Sequence, residues 1–236
     1  MTSLSRRRLL FTAGSGVLGV AVLGACSSAE SSAPVPATSS AGSAPAWQRV
    51  DLSFVSAYIL VRGSEAAVVD LGTAGSGAAI TDGLTAAGSD WSAVKHVILT
   101  HKHPDHVGGL ADVASAITGK VYTGRADVAG VESDLTVTPL AEGDEVFGLR
   151  IYDTPGHTAG HISVFDPSTG TLVAGDALRT NDGLTGSDPK YTADAAQAVA
   201  SVKKLAELDV RAILPGHGDP LTEGAAEALR KLAASL

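Results

Sequence analysis

The chain has 236 residues, 44% apolar and 18% charged, which is enough for one compact core; with only 4% aromatics, small aliphatics must fill it. Its net charge is −8; without the first 25 residues, which hold three arginines and no acid, 14 basic residues face 25 acidic ones, and so acidic a surface argues against nucleic acid as a partner. The single cysteine, Cys26, rules out a disulfide within the chain.

Residues 1–25 read as an address. Ser5-Arg6-Arg7-Arg8 makes a positive start, and Leu9 to Gly24 is glycine-rich and uncharged. Arg6-Arg7 followed by Leu9-Leu10 resembles a twin-arginine export signal, and Leu23-Gly24-Ala25-Cys26 resembles a bacterial lipobox, whose cysteine is lipidated and becomes the mature N-terminus. The stretch is also long enough for an uncleaved anchor, although its four glycines weaken that reading. Either way the expectation is an extracytoplasmic domain tethered to a membrane, and the lipobox reading makes the tether a lipid anchor on Cys26. Residues 26–46 are mostly Ser, Ala, Pro and Gly, and such a composition predicts a flexible tether. The folded domain is then 47–236, and nothing in its pattern specifies an oligomer.

Along that domain, β-branched runs alternate with Ala-rich stretches. Strands are predicted over Val55–Val61, Ala66–Asp70, Val94–Thr100, Lys120–Thr123, Glu145–Asp153, His161–Phe165, Thr171–Ala174 and Val210–Leu214. Helices are predicted over Gly77–Ala87, Val107–Ile117, Thr192–Leu208 with Thr192 as cap, and Leu221–Leu236. Strands mixed with helices throughout suggest sheets flanked by helices in one α+β domain. The stretch Ala177–Tyr191 shows no apolar period and reads as a functional loop.

Histidines carry the chemistry. Six of the seven follow a predicted strand or lie in the segment it feeds, and His96 alone reads as a surface residue near a strand start. The densest cluster is His101-Lys102-His103-Pro104-Asp105-His106. In an extended segment, residues two apart point the same way, so His101 and His103 can grip one ion while Asp105 and His106 face another. Further pieces are Pro155-Gly156-His157-Thr158-Ala159-Gly160-His161, Gly175-Asp176 and Pro215-Gly216-His217-Gly218-Asp219, each at the C-terminal end of a strand. Five imidazoles and two carboxylates without a thiolate suit two divalent ions, Zn²⁺ above all, with Mn²⁺ or iron also compatible.

Together these pieces, with Val69-Asp70-Leu71-Gly72-Thr73, resemble the metallo-β-lactamase-fold superfamily over residues 48–236. The resemblance implies a four-layer αββα sandwich with a dinuclear metal site at one edge. It implies that His101, His103 and His157 hold one metal, that Asp105, His106 and His217 hold the other, and that Asp176 bridges them. It further implies that Asp105 is catalytic, orienting a metal-bridging hydroxide and shuttling its proton, and that Asp70 supports the metal loops by hydrogen bonds. True β-lactamases of the superfamily lack the bridging aspartate, oxygen-reducing relatives carry Glu where His103 stands, and RNA-processing relatives need a basic surface. Glyoxalase II shares every ligand but adds a helical domain; many lactonases place Tyr where Arg179 stands. The expectation is therefore cleavage of an ester, thioester or lactone of a small molecule. Hydrolysis of a β-lactam, or a non-catalytic extracytoplasmic metal-binding lipoprotein, are the other readings. Arg179, Tyr191 and His161 are the candidate substrate contacts.

Overall fold

The computed structural model describes residues 47–236. The export signal, Cys26 and the tether lie outside the described residues. Strands β1 (Trp47–Asp51), β2 (Ser56–Arg62) and β3 (Glu65–Val69) form an antiparallel meander. From β3 the sheet continues in parallel through β4 (Val94–Leu99), β5 (Lys120–Gly124) and β6 (Val137–Leu140), so its six strands lie in chain order. The remaining strands are β7 (Glu145–Val146), β8 (Leu149–Asp153), β9 (Ile162–Asp166), β10 (Thr171–Gly175), β11 (Leu178–Arg179), β12 (Thr185–Gly186) and β13 (Ala212–Pro215). They form a five-stranded sheet of order β13-β10-β9-β8-β7 and a separate β11–β12 hairpin.

Period-two alternation builds the layers. Ala57 and Ile59 of β2, with Ala66 and Val68 of β3, face outward under α1 (Gly77–Ala86). There they meet Ile80 and Leu84, together with residues of two short helices, α2 (Pro104–Val107) and α3 (Leu110–Val113). Tyr58, Leu60, Ala67 and Val69 face inward and meet Leu149, Ile151, Ile162 and Val164 of the second sheet. The other side of that sheet, Leu172, Ala174 and Ile213, packs against α4 (Ala195–Leu205) and α5 (Ala225–Ser235) through Val202, Leu205, Ala225 and Leu229. Three apolar cores thus separate four layers in the order αββα, as the resemblance implies.

Several local expectations need correction. The helix predicted over Val107–Ile117 is two short pieces parted at Gly108-Gly109, because glycine costs about 1 kcal/mol in a helix interior. The strand predicted over Glu145–Asp153 is a hairpin, in which Phe147 and Gly148 take φ of 58° and 72° and turn the chain in two residues. Asp194, not Thr192, caps α4: its Oδ1 accepts from the Gln197 amide at 3.0 Å, while the Thr192 hydroxyl donates to the Asp188 carbonyl at 2.6 Å. Leu221 is held beside β13 by a bridge to Ile213, so α5 starts only at Ala225. The segment Ala177–Tyr191 is not structureless, since it contains the β11–β12 hairpin and buries Ala177 and Leu178. His96 is half-buried between the rings of Tyr122 and Phe147, at centroid distances of 6.1 and 5.2 Å. β1 and β6 have too little alternation to be legible as strands.

Candidate metal centre

Because β3, β4 and β5 run parallel, and β10 parallels β13, the segments leaving these strands emerge at one rim. β3 delivers Asp70, and β4 delivers Thr100 to His103 before α2 begins with Pro104-Asp105-His106. The link from β8 to β9 carries His157, the end of β10 delivers Asp176, and β13 delivers His217. Loops on such a rim are positioned by rigid strands while staying free to carry chemistry.

The structure brings all seven predicted ligands together. Their donor atoms fall into overlapping groups, His101/His103/His157, His101/His106/Asp176 and Asp105/His106/His217, each within 4.8 Å. Asp176 lies between them. Its Oδ1 is 3.2 Å from His106 Nε2, and its Oδ2 is 3.2 Å from His157 Nε2 and 3.1 Å from His217 Nε2. Asp105 Oδ2 is 3.3 Å from His217 Nε2, and His103 Nδ1 is 2.9 Å from His157 Nε2.

Three of the cluster histidines, His101, His106 and His217, have the ring nitrogen that points away from the cluster held by a partner. Asp70 accepts from the Thr100 amide at 2.7 Å and from the Thr100 hydroxyl at 2.8 Å, and it faces His106 Nδ1 at 2.8 Å. That bond keeps the Nδ1 proton on His106 and leaves Nε2 to the cluster. With its hydroxyl proton committed to Asp70, Thr100 accepts from His101 Nδ1 at 3.0 Å. His217 Nδ1 donates to the Phe54 carbonyl at 2.7 Å. Among the described residues, His101 Nε2, His106 Nε2 and Asp176 Oδ1 are buried and find no hydrogen-bond partner. Buried polar atoms that converge without partners fit metal ligation, and the nitrogen and oxygen donors fit a divalent ion.

The electrostatics agree with a cluster made to hold cations. Burial disfavours charge on His106, yet Asp176 and Asp70 beside it hold its pKa well above the usual imidazole value. Burial opposes His217 as well, but hydrogen bonds to Asp105 and Asp176 push it up to about 10. Burial pushes His157 down to about 4, and His103 and His106 beside it add to that lowering against the pull of Asp176.

The other candidates fall in different places. His161 does not contact the cleft: it is buried, its Nε2 accepts from the Asp176 amide at 2.9 Å, and its Nδ1 reaches the Thr154 hydroxyl at 2.8 Å. Burial pushes its pKa down to about 3, so it stays neutral and keeps that accepting lone pair. Its task is to fix the backbone of Asp176. Arg179 and Tyr191 do line the cleft above the cluster, a space of about 650 Å³ shared with Phe54, Thr73, Pro104 and Asn181. Arg179 Nη1 is 2.6 Å from Asp188 Oδ2, so its charge is already paired. Tyr191 is 57% exposed, with the Lys190 ammonium 4.8 Å above its ring.

Arg49 also proves important. Its guanidinium donates to Asp219 Oδ1 at 2.8 Å, to the Gly218 carbonyl at 3.1 Å and to the Ser56 hydroxyl at 2.9 Å. The Tyr58 hydroxyl adds a bond to the Pro215 carbonyl at 2.7 Å. Together these bonds pin the His217 loop to β1 and β2. An arginine in a short strand far from any histidine gives no sequence signal of this task.

The family model described as metallo-beta-lactamase superfamily matches residues 50–217. The chain belongs to this superfamily. It is 30% identical over 174 residues to "Probable metallo-hydrolase YflN" of Bacillus subtilis, covering 55% of this chain and 66% of that protein. It is 38% identical over 118 residues to a hydroxyacylglutathione hydrolase of Pseudomonas putida, covering 48% of this chain and 42% of that enzyme. The match thus spans less than two thirds of each relative's own length. Among solved structures, TTHA1623 in a di-iron-bound form superposes with a TM-score of 0.63 at 27% identity, covering 77% of this chain and 95% of that one. Members of the superfamily bind divalent metal ions, which agrees with the donor set found here.

Proposed function

We propose that the protein is a dinuclear metal-dependent hydrolase of small-molecule esters, thioesters or lactones. The observation that carries this reading is the Asp176 carboxylate, which touches histidines of both ligand groups at the floor of an open cleft. His101, His103 and His157 would hold one ion, Asp105, His106 and His217 the other, and Asp176 both. Zn²⁺ suits these donors best, and the di-iron form of a similar protein keeps iron among the candidates. When bound, two such ions would supply an activated water at neutral pH and polarise a carbonyl. Asp105, at the edge of the same cleft, would take up a proton there and return it to the leaving group. His161 and Asp70 keep the ligands in one orientation, and the cleft wall from Phe54 to Tyr191 seats the substrate. The hydroxyacylglutathione hydrolase relatives support the thioester branch. Metal analysis followed by a screen of lactones, thioesters, phosphodiesters and β-lactams tests the proposal. The expected result is about two equivalents of metal and carbonyl-ester turnover that a chelator abolishes and Zn²⁺ restores. Tight metal with no turnover, or turnover of β-lactams alone, would overturn it.

Arg179 offers a second test. A substrate oxygen that replaces Asp188 as its partner would be drawn toward the metals. Arg179→Ala is then expected to lower kcat/KM by about 10-fold, the loss of one charged hydrogen bond, with metal content unchanged. Wild-type kinetics would show that Arg179 serves only to fold the β11–β12 segment.

From the Arg6-Arg7 and Leu23-Gly24-Ala25-Cys26 motifs we further propose that the enzyme works outside the cytoplasm, anchored through Cys26. Cys26→Ser is expected to release the domain into the soluble fraction or stall its processing. Replacing Arg6 and Arg7 by Lys is expected to trap it inside the cell. Normal export of the double-Lys protein would point to the ordinary secretory route.

A further inference from the structure

Asp127 lies in the 3₁₀ turn Arg125–Gly130 after β5, outside every motif of the site. Its side chain is wholly buried, yet it carries a carboxylate. Oδ2 accepts from the Lys102 amide at 3.1 Å and from the Thr158 hydroxyl at 2.5 Å. Oδ1 accepts from the Gly160 amide at 3.0 Å, and the Lys102 ammonium stands 3.8 Å away. Lys102 separates His101 from His103, and Thr158 follows His157. One carboxylate therefore ties together the two segments that carry one ligand group.

The backbone is shaped to allow this. A Cβ on Gly160 would strike the amide and side chain of Asp127, and a Cβ on Gly124 would strike the Gly160 carbonyl. The turn and the His157 loop thus touch backbone to backbone, a distance that glycine alone permits. The opposite ligand group has its own supports. Asp70 faces His106, the Phe54 carbonyl receives His217, and Arg49 holds the loop after His217.

We infer that Asp127 is a positioning residue that presets the spacing of His103 and His157, a support that the Asp105/His106/His217 half does not share. The inference deepens the metal-site reading above and predicts an asymmetry. Losing Asp127 should loosen the His101/His103/His157 half and leave the Asp105/His106/His217 half intact. Outer partners of metal ligands commonly contribute about 10–100-fold in affinity, which sets the scale of the loss.

The test is Zn²⁺ titration of the full chain against a chromophoric chelator. In a His217→Ala background the remaining equivalent reports the first half; in a His103→Ala background it reports the second. Adding Asp127→Asn should weaken Zn²⁺ by about 10-fold or more in the first background and by less than about 2-fold in the second. Near-ultraviolet circular dichroism should stay native in both. If Asp127→Asn fails to fold, Thr158→Val, which removes one of the bonds, should give a smaller loss confined to the first background. Equal weakening in both backgrounds, or none in either, would overturn the inference. A wild-type stoichiometry of one would defeat the two-ion reading separately; loosening of that single equivalent by Asp127→Asn would still support this one, and an unchanged affinity would overturn it.

Discussion

Asp176→Ala is expected to abolish tight metal binding and, with it, turnover. The carboxylate lies within 3.2 Å of His106, His157 and His217, so it touches both ligand groups. On the two-ion reading, removing it would leave each half-site short of a ligand and would take away the anion between them. Burial works against its charge, but the surrounding imidazoles, His106 foremost, hold its pKa well below the usual carboxylate range. It is thus available as an anion at any pH at which the histidines can bind metal. The loss of affinity should exceed the ~10–100-fold typical of an outer partner. Metal analysis after gel filtration, together with rates on an identified substrate, checks this. Two retained equivalents and full activity in the variant would refute the bridging role.

The second large effect is expected from Asp70→Ala. Asp70 has a φ of 60°, a backbone state that Asp tolerates better than Ala, and its carboxylate takes three hydrogen bonds in a buried place. The substitution strands the Thr100 amide and releases the His106 tautomer. A destabilisation of about 2–4 kcal/mol follows from the lost buried partners. In a domain of this size that amounts to a drop in Tm of roughly 5–15 °C. Melting in the presence of a chelator isolates this structural part. Zn²⁺ competition measures the other part, expected to be about 10–100-fold weaker binding. Unchanged affinity would mean that His106 is oriented by its packing and not by Asp70.

Much of the metal centre was legible because its residues are clustered. His101, His103, Asp105 and His106 lie within six positions, and His157, Asp176 and His217 each sit beside glycine at the end of an apolar run. What was misread depends on contacts far along the chain. His161 sits in the same loop as His157, but the Asp176 amide and the Thr154 hydroxyl claim both of its nitrogens. Arg179 does line the cleft, but that Asp188 stands 2.6 Å from its guanidinium depends on the β11–β12 hairpin. The Glu145–Asp153 run appeared to be one strand because a Phe rarely takes the positive φ that turns it.

By itself, the sequence determined the alternation of faces along each strand and the chemistry of the donors. Both are local properties: a period of two sorts Ala57 and Ile59 from Tyr58 and Leu60 wherever the strand lies, and an imidazole is a ligand in any fold. Only the tertiary structure decided which donors meet, which nitrogen each histidine presents and which residues stand behind them. Asp127, Arg49 and Asp70 act through hydrogen bonds that close to about 3 Å only when separate strand ends are brought to one rim. A hydrogen bond depends steeply on distance and angle. Whether such a bond exists is therefore settled by the packing of the two sheets and not by residue type or spacing.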